Sequence, residues 1–261
     1  MTVDDVPEDI VRIGGLEFRG GEGFDGFYIS PNGLVGWDDS PEVRFDSIDR
    51  ENGDGEFEAP VYYGARVLTV SGFCYADSSE QLGVYRDRLM GIVANTTRVE
   101  VTLHGRTTYG QGAMAAASKF EVDIPGRRAA YQFSRRFPDP YKYGQLHTSD
   151  TAVGGGDSVT VLHYGNTWAT SLLTITGTDP DGYTIVGPGG RRVDITAPLT
   201  ANAPHTFDTA TGLLRVGGSI RYGALGRADL WRTAAGRPTT VGIGGTSSST
   251  KLVATTRDTY I

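Results

Sequence analysis

Glu56 and Glu58 are the two carboxylates in this chain best spaced for acid–base work. In an extended strand residues i and i+2 share a face, and glycoside cleavage needs one carboxyl as acid and one as base or nucleophile. They lie in an acidic stretch, however, away from the aromatic residues that usually floor a sugar cleft. Asp38 and Asp39 are adjacent and would point to opposite faces. Gly21-Glu-Gly-Phe-Asp-Gly26 matches the dinucleotide fingerprint letter by letter, yet Phe27-Tyr-Ile-Ser-Pro-Asn32 follows, which cannot open the helix that holds a pyrophosphate. His104, His147, His163 and His205 show neither paired helical spacing nor a second cysteine nearby, so no metal site is expected. Gly217-Gly-Ser-Ile-Arg221 breaks the nucleophile-elbow pattern at its last position, and no histidine follows to serve as base. The residues therefore point away from an enzyme and away from any cofactor, and leave binding and assembly.

Composition narrows the classes further. At 261 residues two domains are likelier than one, each able to bury its own core. A formal net charge of -7 argues against gripping nucleic acid, which normally takes a basic patch. Lysine occurs only at Lys119, Lys142 and Lys251, so arginine carries the cationic side and suits planar pairing with carboxylates between subunits. The single cysteine, Cys74, lies between Phe73 and Tyr75 in a strand-like run and reads as a buried, inert thiol. The apolar runs are short and the chain opens acidic, with Asp4, Asp5, Glu8 and Asp9, so neither membrane insertion nor export is expected, and the glycosylation sequence Asn95-Thr-Thr97 carries no weight.

Period-two patterning and recurring glycine predict a mainly β protein of two β-sandwich-like domains. In the first half, strands are expected at 16–18, 27–30, 43–48, 67–75, 99–103, 120–124 and 130–137. One helix is expected: Asp77 can cap it, Glu80 sits at the capping-box position, and Leu82, Tyr85, Leu89 and Ile92 follow helical spacing. Gly83 and Gly91 weaken it, so packing must hold it.

The stretch from Trp37 to Pro60 is rich in Asp and Glu and is broken by Asn52-Gly-Asp-Gly55, a strong turn signal. It reads as a long β-hairpin arm. Such an arm cannot bury both faces on its own domain, which makes it a natural reach toward a neighbouring subunit. Asp46, Asp49, Arg50, Glu56 and Glu58 on the arm, with Tyr62, Tyr63 and Arg66 at its end, are the expected subunit contacts. Downstream, Phe133 and Phe137 share a strand face before Pro138 and Pro140 stop the ladder, so Phe137, Asp139, Pro140 and Tyr141 form the turn between domains, expected at 1–146 and 147–261.

Residues 144–157, with Gly154-Gly-Gly156, read as a flexible connection. Beyond it strands are expected at 159–164, 171–176, 183–186, 192–196, 205–208, 213–216, 230–233, 239–243 and 251–256, a spacing typical of a sandwich or jelly roll. Trp168 and Trp231 could stack on a sugar. Flanked by Asp229 and Leu230, Trp231 reads better as core. Trp168, beside Asn166 and Thr167, reads better as a strand-start anchor.

Over nearly its whole length, and in order, the chain resembles the distal tail proteins of long-tailed bacteriophages. The first half carries this in Gly15-Leu-Glu17, Tyr63-Gly-Ala-Arg-Val67, Val70-Ser-Gly72, the helix with Leu82, Tyr85, Arg88 and Leu89, and the segment from Phe133 to Tyr143 ending Asp-Pro-Tyr-Lys-Tyr. The second half carries it in Asn166-Thr-Trp168, Leu173-Thr-Ile-Thr-Gly177, Phe207-Asp-Thr-Ala-Thr-Gly212-Leu-Leu-Arg-Val-Gly217 and Gly236-Arg-Pro-Thr-Thr-Val-Gly-Ile243. Many relatives have an Asn-Pro-Gly-like turn where this chain has Tyr164-Gly165-Asn166. The resemblance implies a virion protein made in the host cytoplasm. It further implies a ring, usually hexameric, at the far end of the tail tube, whose partners are other copies of itself, the tube protein and the tip or baseplate hub. The first domain would line the channel through which DNA passes without specific binding. The second, a galectin-like sandwich, would face outward and dock adsorption proteins or, in some relatives, contact host cell-wall glycans.

Overall fold

The computed structural model of the chain describes residues 9–21, 25–151, 157–247 and 249–261. Two compact units divide it, Met1–Lys142 with Ile261 and Tyr143–Tyr260. Strands dominate both, and the described residues contain one α-helix. No helix among them is long and apolar enough to cross a membrane.

In the first unit β1 (Ile10–Ile13), β2 (Leu16–Gly20) and β3 (Gly26–Val35) come first. Four short strands follow, β4 (Val43–Arg44), β5 (Ile48–Asp49), β6 (Glu56–Phe57) and β7 (Tyr62–Tyr63). Then come β8 (Arg66–Tyr75), helix α1 (Ser79–Met90), β9 (Thr97–Leu103), β10 (Arg106–Ile124) and β11 (Arg128–Phe137). The ladder runs β11-β8-β3-β2-β1-β9-β10, and β10 pairs back onto β11, so the sandwich-like sheet is closed into a barrel without a free edge. Among the described residues β2 and β3 pair in parallel. Along β8 and β11 every second residue is buried, which turns Leu68, Val70, Cys74, Ala129, Tyr131, Phe133 and Phe137 inward. Phe18, Phe27, Tyr131 and Phe133 fill the middle with ring centroids 4.8 to 6.5 Å apart. Cys74 is buried and free, and burial pushes its thiol up to about 12.

The helix lays Leu82 and Leu89 into this core with Tyr85 packed against it, as the spacing predicts; Ile92, expected on the same helical stripe, is buried just past the helix end. Its N-terminus lies one residue later than expected. Ser78 is the N-cap, its Oγ accepting from the Gln81 amide at 3.2 Å, while Gln81 Oε1 accepts from the Asp77 amide at 3.0 Å. The reciprocal box is thus Ser78 with Gln81, not Asp77 with Glu80. The strand expected at 120–124 is the end of the much longer β10. Its run of small residues at 115–118 gives no alternation to read, and the β10–β11 register shifts there.

The arm forms as a hairpin of two short ladders. Val43 pairs with Tyr63 and Arg44 with Tyr62 near the base, and Ile48 pairs with Phe57 and Asp49 with Glu56 farther out. The continuous strand expected at 43–48 is therefore interrupted.

The second unit stacks two sheets. The first has the order β12 (Lys142–Asp150), β22 (Lys251–Tyr260), β14 (Ser171–Thr176), β17 (His205–Asp208), β18 (Leu214–Val216), β19 (Ser219–Ile220). The second runs β13 (Ser158–Val161), β21 (Thr239–Gly244), β15 (Tyr183–Val186), β16 (Arg192–Ile195), β20 (Leu225–Ala228). Leu173, Ile175, Phe207 and Leu252 from the first and Ile185, Val193, Ile195 and Val241 from the second meet in one core. Residues 144–150, expected to be a flexible connection, belong to strand β12, and a side chain at Gly144 would press within 3.1 Å of Asp258 and Tyr260. Residues 152–156, with the three consecutive glycines, lie outside the described residues. A strand expected at 230–233 is absent; the sheet strand is β20, and only Thr233 joins a bridge, to Ala169.

Candidate subunit interface

The arm is an unusual object for a chain on its own. Val43, Phe45, Ile48, Phe57, Val61, Tyr62 and Tyr63 are all exposed, with Ile48 at 61% and Phe57 at 58%. A two-stranded hairpin is at best marginally stable by itself, and an apolar patch on this scale marks an interaction surface. The acidic residues expected to make contacts, Asp46, Asp49, Glu56 and Glu58, are exposed along the same hairpin. Glu56 accepts a hydrogen bond from Ser47, and Arg50 lies over the Phe57 ring at 5.6 Å. The arm thus alternates apolar anchors with carboxylates, and no aromatic cleft forms around Glu56 and Glu58.

Its base is fixed by buried groups. Arg66, expected at a subunit contact, is 2% exposed. Its Nη1 donates to the carbonyls of Gly36 (3.0 Å), Trp37 (3.0 Å) and Asp39 (2.6 Å), and its Nε donates to the Pro140 carbonyl at 3.0 Å. Nη2 is buried without a hydrogen-bond partner. Trp37 is buried too, its indole N–H donating to Thr108 Oγ1 at 3.0 Å and its ring packing edge-on against Phe137 at 5.2 Å. Lys142 Nζ donates to the Trp37 carbonyl at 3.0 Å. Burial pulls the Arg66 guanidinium below its ordinary value, opposed by Asp39 and Asp38. Burial, and then the charge of Arg66, bring the Lys142 ammonium down to about 8.

The turn of Phe137, Asp139, Pro140 and Tyr141 joins this base. Asp139 Oδ1 accepts from the Tyr141 amide at 3.2 Å, and the Pro140 carbonyl is the Arg66 acceptor just described. Sequence reasoning found the arm and the turn but missed that Arg66 connects them, and it missed Thr108 and Lys142. The exposed apolar residues Phe45, Ile48 and Val61 break period-two alternation, so spacing did not mark them as anchors.

In the second unit Trp231 is 2% exposed and packs in the core, with Gly187 against its ring, so it offers no stacking face. Trp168, expected to be a buried anchor, is instead 58% exposed. The Ala169–Thr233 bridge, with amide–carbonyl distances of 2.9 and 2.8 Å, holds it at the rim of a shallow cavity.

The structure superimposes on the Dit protein of phage SPP1, described as a paradigm of the hub adsorption apparatus in phages infecting Gram-positive bacteria. The TM-score is 0.68 at 14% identity, covering 97% of this chain and 99% of that one. The chain has the fold of a Dit protein. Chains of the phage P2 baseplate in its activated conformation match more loosely, at TM-scores of 0.45 and 0.44 for the calcium and strontium forms, with 8% identity in each case and 95% of this chain and 97% of theirs covered. No protein-family model and no curated protein sequence matches the chain. At this identity the likeness shows the fold.

Proposed function

We propose that this chain is a non-enzymatic structural component of a bacteriophage tail. In this reading it forms a hexameric ring at the distal end of the tube, joins tube to tip or baseplate, and lets DNA pass through its channel. The observation that carries the reading is the fold shared with a hub adsorption protein over almost the full length of both chains. The arm supplies the physical means. Rings built by rotation use heterologous contacts, in which one patch on a protomer fits a different patch on the next. A rigidly rooted hairpin bearing exposed apolar and acidic side chains is one half of such a contact. The partners on the two faces of the ring are the tube protein and the tip hub, and the working location is the virion.

Light scattering coupled to size exclusion, across a concentration series, tests the assembly. The Gly64 amide donates to the Glu42 carbonyl at 2.6 Å, so residues 43–63 can be replaced by a short turn without stretching the barrel. A discrete closed oligomer that this excision converts to monomer is the expected result. A monomer at every concentration, both alone and mixed with tube protein, overturns the reading.

A second reading has one observation in its favour, the exposure of Trp168. In it the second unit contacts a saccharide of the host surface through that ring, without Trp231, as an activity of the same tail protein.

A further inference from the structure

We infer that the cavity beside Trp168 binds an anionic saccharide, a pyranose bearing a carboxylate or a phosphate ester, rather than a neutral sugar. The inference rests on the saccharide reading just given and assigns its chemical class.

The cavity, of about 360 Å³, lies wholly within the second unit and is lined by Trp168, Leu230 and Trp231, by Thr209 and Ala210, and by Arg191 and Arg232. Its size is that of a single ring, at the low end of small-ligand sites. Four chain segments build it. Trp168 precedes Ala169 and Arg232 precedes Thr233, so the Ala169–Thr233 bridge brings both to one place. Arg191 follows the 3-10 turn Pro188–Gly190. Thr209 is buried and locked to Ser171, whose amide donates to its Oγ1 at 2.8 Å and whose carbonyl accepts from its own amide at 3.0 Å. The site is therefore framed by ordered backbone, with exposed side chains turned to its opening.

Charge sets the class. The neighbouring carboxylate, Asp229, is held by Arg227 at 2.6 Å and accepts the Arg192 amide at 3.0 Å. Asp194 is held by Arg192. Neither Arg191 nor Arg232 makes an ion pair among the described residues, although the charge of Arg191 reaches Asp229 and helps to lower its carboxyl, so two guanidinium groups without a direct carboxylate partner line the cavity with an exposed indole in a chain whose net charge is -7. Guanidinium presents a planar fork that matches carboxylate and phosphate. An indole face takes the C–H face of a pyranose, and the apolar Leu230 completes the floor. An acidic peptide would satisfy the arginines alone. The exposed indole face favours a ring.

The test is calorimetric titration of the full chain with four probes: methyl galactoside, methyl galacturonate as its free acid, glucose 1-phosphate and a tetraglutamate peptide. Galacturonate or glucose 1-phosphate, whichever identifies the natural anion, should bind at least about tenfold more tightly than methyl galactoside. Arg191→Gln and Arg232→Gln, both at exposed positions, should each weaken that binding about tenfold without moving the melting temperature. Trp168→Ala should abolish it. If methyl galactoside binds as well as the anions and the arginine variants change nothing, the anionic class is overturned while the saccharide reading stands. If tetraglutamate matches the charged sugars, the site reads charge only and the inference fails. No binding by any probe at millimolar concentration overturns both.

Discussion

The guanidinium of Arg66, at the end of the arm, donates to the carbonyl of Trp37, at its beginning, at 3.0 Å, with the Arg66 carbon 5.9 Å from the centre of the Trp37 ring. One buried cation thus ties both strands of the hairpin base together, and through Pro140 it also ties that base to the turn where the first unit ends. Arg66→Met should remove a donor from four carbonyls, of which that of Trp37 keeps Lys142 Nζ, and cost about 3 kcal/mol. Urea unfolding of the first unit reads the cost. Limited proteolysis should cut the variant within residues 43–63 well before the wild type. Unchanged protection there would mean that the base is held by the barrel strands alone.

The arm's exposed apolar residues should matter to assembly and not to the fold of the protomer. Phe45, Ile48 and Phe57 lie outside the barrel core. Their joint replacement by Ser should shift protomer stability by no more than about 0.5 kcal/mol per site. If the arm docks on a neighbour, burying three such side chains contributes on the order of 5 kcal/mol per contact, and the oligomer should dissociate at micromolar protein. Charge variants of Asp46, Asp49, Glu56 and Glu58 should instead alter the salt dependence of assembly, since exposed pairs are screened. Scattering at low and high salt separates the two effects.

Lys142 gives a pH signature. Its folded value of about 8 lies below the unfolded value of about 10.4. Between the two the unfolded chain binds the extra proton, so this residue makes stability rise with pH across that window. Below pH 8 the charged ammonium is a constant cost. Relative to Lys142→Met, the wild type should gain stability from pH 8 to pH 10. With three lysines in the chain, NMR of reductively methylated protein should show one of three resonances titrating early. If all three titrate together near the ordinary lysine value, the burial argument for Lys142 is wrong.

Where the sequence was legible, the reason was periodicity. Strands β14, β15 and β17 have the bounds that alternation assigns, because each buries every second residue on one sheet face. Strand β10 was legible only at its end, since Gly110, Gly112 and Ala113 have almost no side chain to alternate. Gly110 and Gly112 are small because the Phe137 ring packs on them, and an added Cβ would come within 2.8 Å of it. Barrel closure could not be read either, because it depends on β10 pairing with both β9 and β11. The arm was legible from its turn and its charge. Its Arg66 clamp was not, because a buried arginine that serves backbone carbonyls of four separate residues leaves no spacing signal in the chain.

The cap of α1 offers a clean test of local reading against structure. From residue types alone Asp77 and Glu80 would close the helix N-terminus. In the structure Ser78 Oγ takes the Gln81 amide and Gln81 Oε1 takes the Asp77 amide. The Gln81 side chain also donates to Asp25 at 3.0 Å, and Tyr85 donates to the same carboxylate at 2.7 Å, so the cap is anchored to the barrel. Ser78→Ala should therefore cost about 1 kcal/mol. Asp77→Ala and Glu80→Ala, which remove no capping acceptor, should each cost at most about 0.5 kcal/mol through the helix dipole. Gln81→Ala should exceed either, because it removes the reciprocal cap and the Asp25 contact together. Urea midpoints for the four variants decide the matter, and a larger loss for Asp77→Ala than for Ser78→Ala would return the cap to the position that residue types alone suggest.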